Sequence, residues 1–506
     1  MKKLLALGLL GLVLASCGKK EEAATTGPRE TTIFAMHLGK ALDPSLPVFA
    51  KAEQDTNIKL VNVASQNQTD QIQAFNLMLT EGKLPDIISY ELSADLENLG
   101  IEGGLIPLED LINEHAPNLK KFFEENPRYK KDAVAVDGHI YMIPNYYDYF
   151  NLKVSQGYFI RQDWLDKLGL SQPKTVDELY TTLKAFREQD PNGNGKKDEV
   201  PFFVRANNVR KVLTSLVDLF KASPIWYEEN GMVKYGPAQD SFKHAIKELA
   251  KWYKEGLIDE ELFTRGLESR DYLLSNNLGG ATDDWIASTS GYNVSLADKI
   301  PGFNFKLVLP YELNGNAKTR HARTTYLGGW GISKDATDPV ALIKYFDYWY
   351  SPEGRRLWNF GIEGSEYTLV DGKPVFTDAV MKNPDGKTPL AVLREVGAQF
   401  RLGAYQDAEY ELGWATDLAK EGFKYYMDND VVLDELPTLK YTKERSKEFV
   451  SIDTALRAVV EEKAQQWILG SGDVEKEWDA FIKRLEDLGL KNAEEIQNEA
   501  FKSFNK

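Results

Sequence analysis

The chain has 506 residues, 42% of them hydrophobic, a formal net charge of −16 and one cysteine. That length holds enough apolar material for two or three domains. The acidic balance, without a Lys/Arg block or basic stripe, excludes a nucleic-acid partner and attraction to an anionic membrane surface, and the lone cysteine excludes an intrachain disulfide.

Met1-Lys2-Lys3 gives a positive start, and Leu4 to Leu14 is an apolar run too short to span a bilayer. Leu14-Ala15-Ser16-Cys17 follows, so residues 1–16 read as a secretory signal with a small-residue cleavage site. The segment is similar to a bacterial lipobox, in which Cys17 becomes the lipidated N-terminus; the alternative is an ordinary signal with a chance cysteine. Residues 17–30 are small, charged and non-periodic, a flexible tether between membrane and domain.

Strands and helices then alternate. Thr31 to His37 reads as a strand, Ser45 to Thr56 as a helix, and Ile58 to Val63 as a strand. Asp70 to Thr80 is helical, with Ile72, Phe75 and Leu79 assigned to its apolar face. Leu84 to Ile88 is a buried strand. This is the pattern of a parallel sheet with crossover helices. Thr175 to Gln189 carries a Thr175/Glu178 capping box and apolar residues at Val176, Leu179, Leu183 and Phe186. Further helices fall at Ser241–Glu255, Pro339–Tyr350, Lys443–Gln466 and Glu475–Leu488. Gly302–Leu309 and Trp330–Ser333 read as strands.

Directly after the capped helix stands Asp190-Pro191-Asn192-Gly193-Asn194-Gly195-Lys196-Lys197-Asp198-Glu199. Its first six residues match the opening of a helix-flanked calcium loop, D-x-[DN]-x-[DN]-G. The twelfth place is Pro201 and not Glu, so Asp198 and Glu199 must supply the late carboxylates and Lys196 a backbone carbonyl. Such oxygens on a flexible loop suit Ca2+. The plainer reading is a solvated Asn-Gly turn.

Several segments together resemble one family. They are Gly82–Ile88, Tyr158–Leu170, Pro173–Leu179, the 190–201 loop, Gly329–Lys334, Asp347–Gly354, Gly361–Gly364 and the tail around Trp467 and Trp478. In this order they are similar to the extracellular solute-binding proteins of ABC sugar importers, in the calcium-containing branch that includes alginate-oligosaccharide-binding proteins. The resemblance implies an α/β, two-lobed periplasmic-binding-protein-like clamshell. Each lobe is a mixed sheet covered by helices, and the lobes are discontinuous in sequence. The expected division is 31–150 and 325–370 for lobe 1, with 151–324 and 371–506 for lobe 2. The resemblance also implies a structural calcium held by Asp190, Asn192, Asn194, Lys196, Asp198 and Glu199, and the membrane subunits of a transporter as partners of a monomer.

Sugars need flat apolar faces and planar polar groups. Trp285, after the small-residue run Gly279–Asp284 read as a turn, is the first candidate, with Asp284 beside it. Trp330 between two glycines, and Tyr146 with Tyr147, read equally as cleft or packing residues. Trp164, Trp252, Trp349, Trp467 and Trp478 fall on helix faces and read as core. Arg205, Arg210 and Lys211, and the cluster Arg320, His321 and Arg323, suit a uronate carboxylate or a sulfate; the alternatives are surface ion pairing and a neutral sugar. No H-E-x-x-H, P-loop, dinucleotide fingerprint or G-x-S-x-G occurs, and no carboxylate pair stands in a context that would separate two pKa values. The sequence therefore argues against a glycoside hydrolase. A tethered peptide binder or sensor of the same fold remains the alternative.

Overall fold

The computed structural model describes residues 27–37, 40–67, 70–385 and 387–505; the signal segment and Cys17 lie outside them. Along the chain come β1 (Arg29–His37), the two-residue β2 (Lys40–Ala41), β3 (Ile58–Asn62), β4 (Ile87–Tyr90) and β5 (Ile143–Tyr147). Then follow β6 (Gln156–Arg161), β7 (Val200–Val204), the hairpin β8 (Trp226–Glu229) and β9 (Met232–Tyr235), β10 (Gly279–Trp285) and β11 (Phe305–Val308). The chain continues through β12 (Tyr326–Ile332), the hairpin β13 (Tyr367–Val370) and β14 (Lys373–Phe376), and β15 (Tyr405–Gln406).

Lobe 1 is built on a sheet ordered β15-β5-β12-β4-β1-β2, with β3 also on β1. β3 and β4 run parallel to β1, whereas β12 is antiparallel to β4 and β5. Ile33, Phe34, Ala35 and Met36 are all buried, as expected for a parallel strand covered on both faces. Lobe 2 is built on β11-β6-β10-β7. Both sheets are mixed and helix-covered, the α/β clamshell architecture expected from the sequence.

Three differences from the sequence reading have clear physical causes. The helix Gln71–Thr80 buries Ala74, Phe75 and Met78 and leaves Ile72 and Leu79 exposed. Its orientation follows Phe75, which stacks on Tyr90 at 4.0 Å and meets Phe34 edge-on at 5.9 Å. Gly279 to Asp284 forms the interior strand β10 and not a turn. Its glycines serve close packing: a Cβ on Gly280 would stand 2.8 Å from both Phe186 and the Pro201 carbonyl. Finally, residues after 370 stay with lobe 1. Phe376, Leu393, Tyr405 and Tyr410 belong to its core, and β15 runs parallel to β5. The return through lobe 1 therefore extends to the helix Ala408–Trp414, whose Trp414 packs against the cores of both lobes.

The capped helix Val176–Glu188 forms as read. Thr175 and Glu178 exchange both capping-box bonds, and Val176, Leu179, Leu183 and Phe186 are buried. The last helix, Leu490–Phe504, was not read from sequence. Gly489 at φ 100° separates it from the preceding helix.

Candidate functional site

Ligands of open α/β folds bind outside the carboxyl ends of the strands. On lobe 2 those ends carry Arg205, after β7, and Asp284 and Trp285, at the end of β10. Trp285 is 43% exposed, and its backbone N–H donates to Asp284 Oδ1 at 2.7 Å. Arg205 grips Asp284 with two bonds, Nε to Oδ2 at 2.8 Å and Nη2 to Oδ1 at 2.6 Å. Arg270 adds a third at 3.2 Å and also donates to Ser288 and Thr289. Two guanidinium groups thus share one buried carboxylate, with exposed Asp271 within Coulombic reach of both. Burial pulls the Arg270 guanidinium below its ordinary value.

Trp285 is the register partner of Gln156 on β6. Gln156 Oε1 accepts from Lys211 Nζ at 3.1 Å. Lys211 and its neighbour Arg210 form no ion pair among the described residues. The sequence candidates Trp285, Asp284 and Arg205 therefore meet on one lip, with Lys211 joined to it through Gln156, whereas Arg210 lies with Trp226 and Tyr235. A flat ring face and adjacent cations can take the apolar side of a sugar and an anionic substituent together.

Other candidates lie elsewhere. Trp330 is fully buried and stacked on Phe346 at 4.2 Å. Tyr146 is fully buried and donates to the Tyr129 carbonyl at 2.6 Å. Packing accounts for both, since the glycines around Trp330 admit the neighbouring strands: a Cβ on Gly329 would stand 2.5 Å from the Ile143 carbonyl. Tyr147 is half-buried where β5 leaves lobe 1. Arg320 covers the Tyr227 ring at 4.2 Å, Arg323 pairs with Glu411, and His321 is buried 3.0 Å from Asp283. That trio serves internal pairing.

The strand ends of lobe 1 carry a polar cluster that no sequence motif marks. At the ends of β1 and β4, His37 Nδ1 meets Glu91 Oε1 at 2.6 Å, and Gln71 and Arg401 also donate to Glu91. Burial acts to raise the Glu91 carboxyl, but His37, Gln71 and Arg401 outweigh it and hold it at about 2. Burial lowers the His37 imidazole. Glu91 is therefore ionised at neutral pH. These partners stand 20 to 310 residues from Glu91, so no local motif announces them.

The 190–199 loop lies apart, behind the helix Val176–Glu188. Among the described residues no three His, Cys, Asp or Glu side chains cluster in a metal-binding arrangement; the loop's remaining oxygens come from amides and a carbonyl. Gly193 and Gly195 take φ 75° and 77°, a left-handed curl that other residues resist. Asp190 accepts the N–H groups of Gly193, Asn194 and Gly195. Asn192 and Asn194 turn their amides to Asp198. Glu199 is 1% exposed, and neither carboxylate oxygen has a well-formed hydrogen-bond partner. Burial, then Asp190 and Asp198, raises its carboxyl, against the nearby N–H groups of Glu199 itself and Asn192. A buried carboxylate with Asp190 and Asp198 within Coulombic reach is a concentration of negative charge that a divalent cation would relieve.

Residues 48–359 match the family described as bacterial extracellular solute-binding protein, and the chain belongs to that family, whose members bind substrates and are not enzymes. The chain is similar to the crystal structure of the alginate-binding protein AlgQ2 without calcium ion. They share 36% identity, with a TM-score of 0.83, over 94% of this chain and 99% of the other. It is 28% identical to the fructooligosaccharide ABC transporter substrate-binding protein FusA of Streptococcus pneumoniae, over 97% of this chain and 96% of that protein. It is 26% identical to the lipoprotein LipO of Bacillus subtilis, over 76% of each. No helix among the described residues is long and apolar enough to cross a membrane.

Proposed function

We propose that this protein captures an oligosaccharide between its lobes and delivers it to the membrane subunits of an ABC importer. The carrying observation is Trp285, exposed at the carboxyl end of β10 and flanked by Arg205, Arg270 and Asp284. The lobes close on the sugar by hinge motion. The chain acts as a monomer, exported by its signal segment and anchored through a lipidated Cys17; the likeness to LipO supports the anchor. Asp190, Asn192, Asn194, the Lys196 carbonyl, Asp198 and Glu199 hold a structural Ca2+ that stiffens lobe 2.

The sugar is a uronate-containing oligomer. Among the described residues Lys211 donates to the neutral Gln156 and forms no ion pair, and Arg205 and Arg270 share the Asp284 carboxylate, with Asp271 within Coulombic reach. The lip therefore carries spare positive charge in a chain of net charge −16. The likeness to an alginate-binding protein points the same way.

A melting-temperature screen tests this, using alginate oligosaccharides and neutral fructo-oligosaccharides, with chromatography of the recovered sugar. Ligand bound to the native state alone stabilises by RT ln(1 + [L]/Kd). The expected result is a shift with the alginate series and intact sugar. A shift only with the fructo-series overturns the uronate assignment. Smaller products, or no shift with either series, overturn the reading as a whole.

A further inference from the structure

Two cations from different helices grip the 190–199 loop by its backbone. Lys167 lies on the helix Gln162–Leu168, which follows β6, and its Nζ donates to the Pro191 carbonyl at 2.8 Å. Gly193 leaves room for it, since a Cβ there would stand 2.7 Å from Lys167 Nζ. Arg187 lies in the last turn of the helix Val176–Glu188. Its Nη1 donates to the Lys197 carbonyl at 3.2 Å and to the Glu199 carbonyl at 3.0 Å, and Glu260 faces its Nη2 at 3.7 Å. Lys167 thus holds the limb that enters the loop, and Arg187 the limb that leaves it.

None of these three carbonyls belongs to the six groups assigned to the cation, so both donors can keep their bonds when an ion binds. The inside of the curl is held by protein groups as well. The backbone N–H groups of Gly193, Asn194 and Gly195 donate to the Asp190 carboxylate at 2.9 to 3.1 Å, and that of Lys196 donates to Asn194 Oδ1 at 2.8 Å. The spacing of the two limbs therefore rests on bonds that do not require the ion. A loop ordered beforehand spares the ion the entropy of ordering it, which strengthens binding.

The same side chains carry positive charge, and Lys167 stands within Coulombic reach of Asp190. By charge alone each of them would weaken calcium binding. Both are partly open to solvent, where screening keeps such repulsion small. We infer that Lys167 and Arg187 are positioning residues of the cation loop, which hold its two limbs at the spacing the ion needs and so set the calcium affinity of lobe 2 without touching the ion. This rests on the proposed Ca2+ site. The sign of the effect separates the two roles: a frame that is lost weakens binding, whereas a repulsion that is lost tightens it.

Calcium titration of the mature protein by competition with a chromophoric chelator tests this, together with hydrogen exchange of the loop amides in excess chelator. Lys167→Met and Arg187→Met are each expected to weaken calcium binding about tenfold, the scale of one hydrogen bond from a charged donor. Lys167→Arg keeps both charge and donor and is expected to stay within about threefold of the wild type. In chelator the Gly193, Asn194, Gly195 and Lys196 amides are expected to be protected in the wild type and to exchange at least about tenfold faster in both Met variants. Unchanged or tighter calcium binding in either Met variant overturns the role of that residue, and a loss in Lys167→Arg equal to that in Lys167→Met overturns the donor role of Lys167. Where a variant does not fold, the wild type decides: unprotected loop amides in chelator overturn the preformed frame while leaving the calcium site standing. Wild-type protein that binds no calcium overturns the metal reading and this inference with it.

Discussion

Arg323 and Glu411 form a buried ion pair between two separate passages of the chain. Arg323 lies on the segment leading into β12, and Glu411 on the helix Ala408–Trp414 that ends the return through lobe 1. Both side chains are less than a tenth exposed, and Arg323 also donates to the Leu152 carbonyl at 3.0 Å. The pair thus ties three stretches together where the chain passes between lobes.

Removing one partner of such a pair leaves an uncompensated buried charge, which costs about 3–5 kcal/mol. Glu411→Ala is therefore expected to lower the stability of the protein by that order, measured as a fall in the urea midpoint at unchanged slope. A loss below about 1 kcal/mol would mean that solvent reaches Arg323.

His321 sits between Asp283 at 3.0 Å and Asp218 at 3.7 Å, fully within lobe 2. Burial acts to lower its pKa and Lys211 acts in the same direction, but the two carboxylates outweigh them and push it up to about 8. The folded value lies above the unfolded value of about 6.5. The contribution is thus fully present below pH 6.5 and is lost as pH rises through 8. The expected size is on the order of 2 kcal/mol. Melting temperature should fall between pH 6 and pH 9 in the wild type and change less in His321→Gln; parallel curves would exclude His321 as the titrating group.

Local signals were legible because their partners lie within one or two turns. Thr175 and Glu178 are three residues apart, and the cap they form is the one the sequence announces. The run Asp190–Glu199 is similarly self-contained. Trp285 could be singled out, but for a reason the structure replaces: Gly279 and Gly280 stand where a central strand packs closely, not where a turn opens. Arg270, Glu91 and Arg401 were not legible, because each acts through contacts across the sheet ends. The basic trio Arg320, His321 and Arg323 looked like a ligand cluster, but tertiary pairing turned each toward a different internal partner.

Trp285 leaves 43% of its surface open and sits at the end of its strand. Trp285→Ala therefore removes a ring face without opening a core cavity. Sugar affinity is expected to fall about tenfold while the melting temperature of the unliganded protein moves by less than about 2 °C. Titration and melting of the same preparation check both halves; equal affinity in the two proteins would remove Trp285 from the site.

Glu199 gives a prediction whose sign depends on the ion. Without calcium, a buried carboxylate with no well-formed partner beside Asp190 and Asp198 is a cost, and its raised pKa records that cost. Stability of the chelated protein should therefore rise as pH falls through the Glu199 pKa. Glu199→Gln removes the charge while keeping the shape, so in chelator it should melt at or above the wild-type temperature. With calcium the order reverses. The wild type gains about 2.7 kcal/mol at a hundredfold excess of calcium over its dissociation constant. The variant, lacking a carboxylate ligand, gains little. Four melting curves, two proteins with and without calcium, decide it. A variant that gains as much from calcium as the wild type would place the cation elsewhere. A wild type that gains nothing would mean that Asn192, Asn194 and Asp198 form a hydrogen-bonded turn and hold no metal.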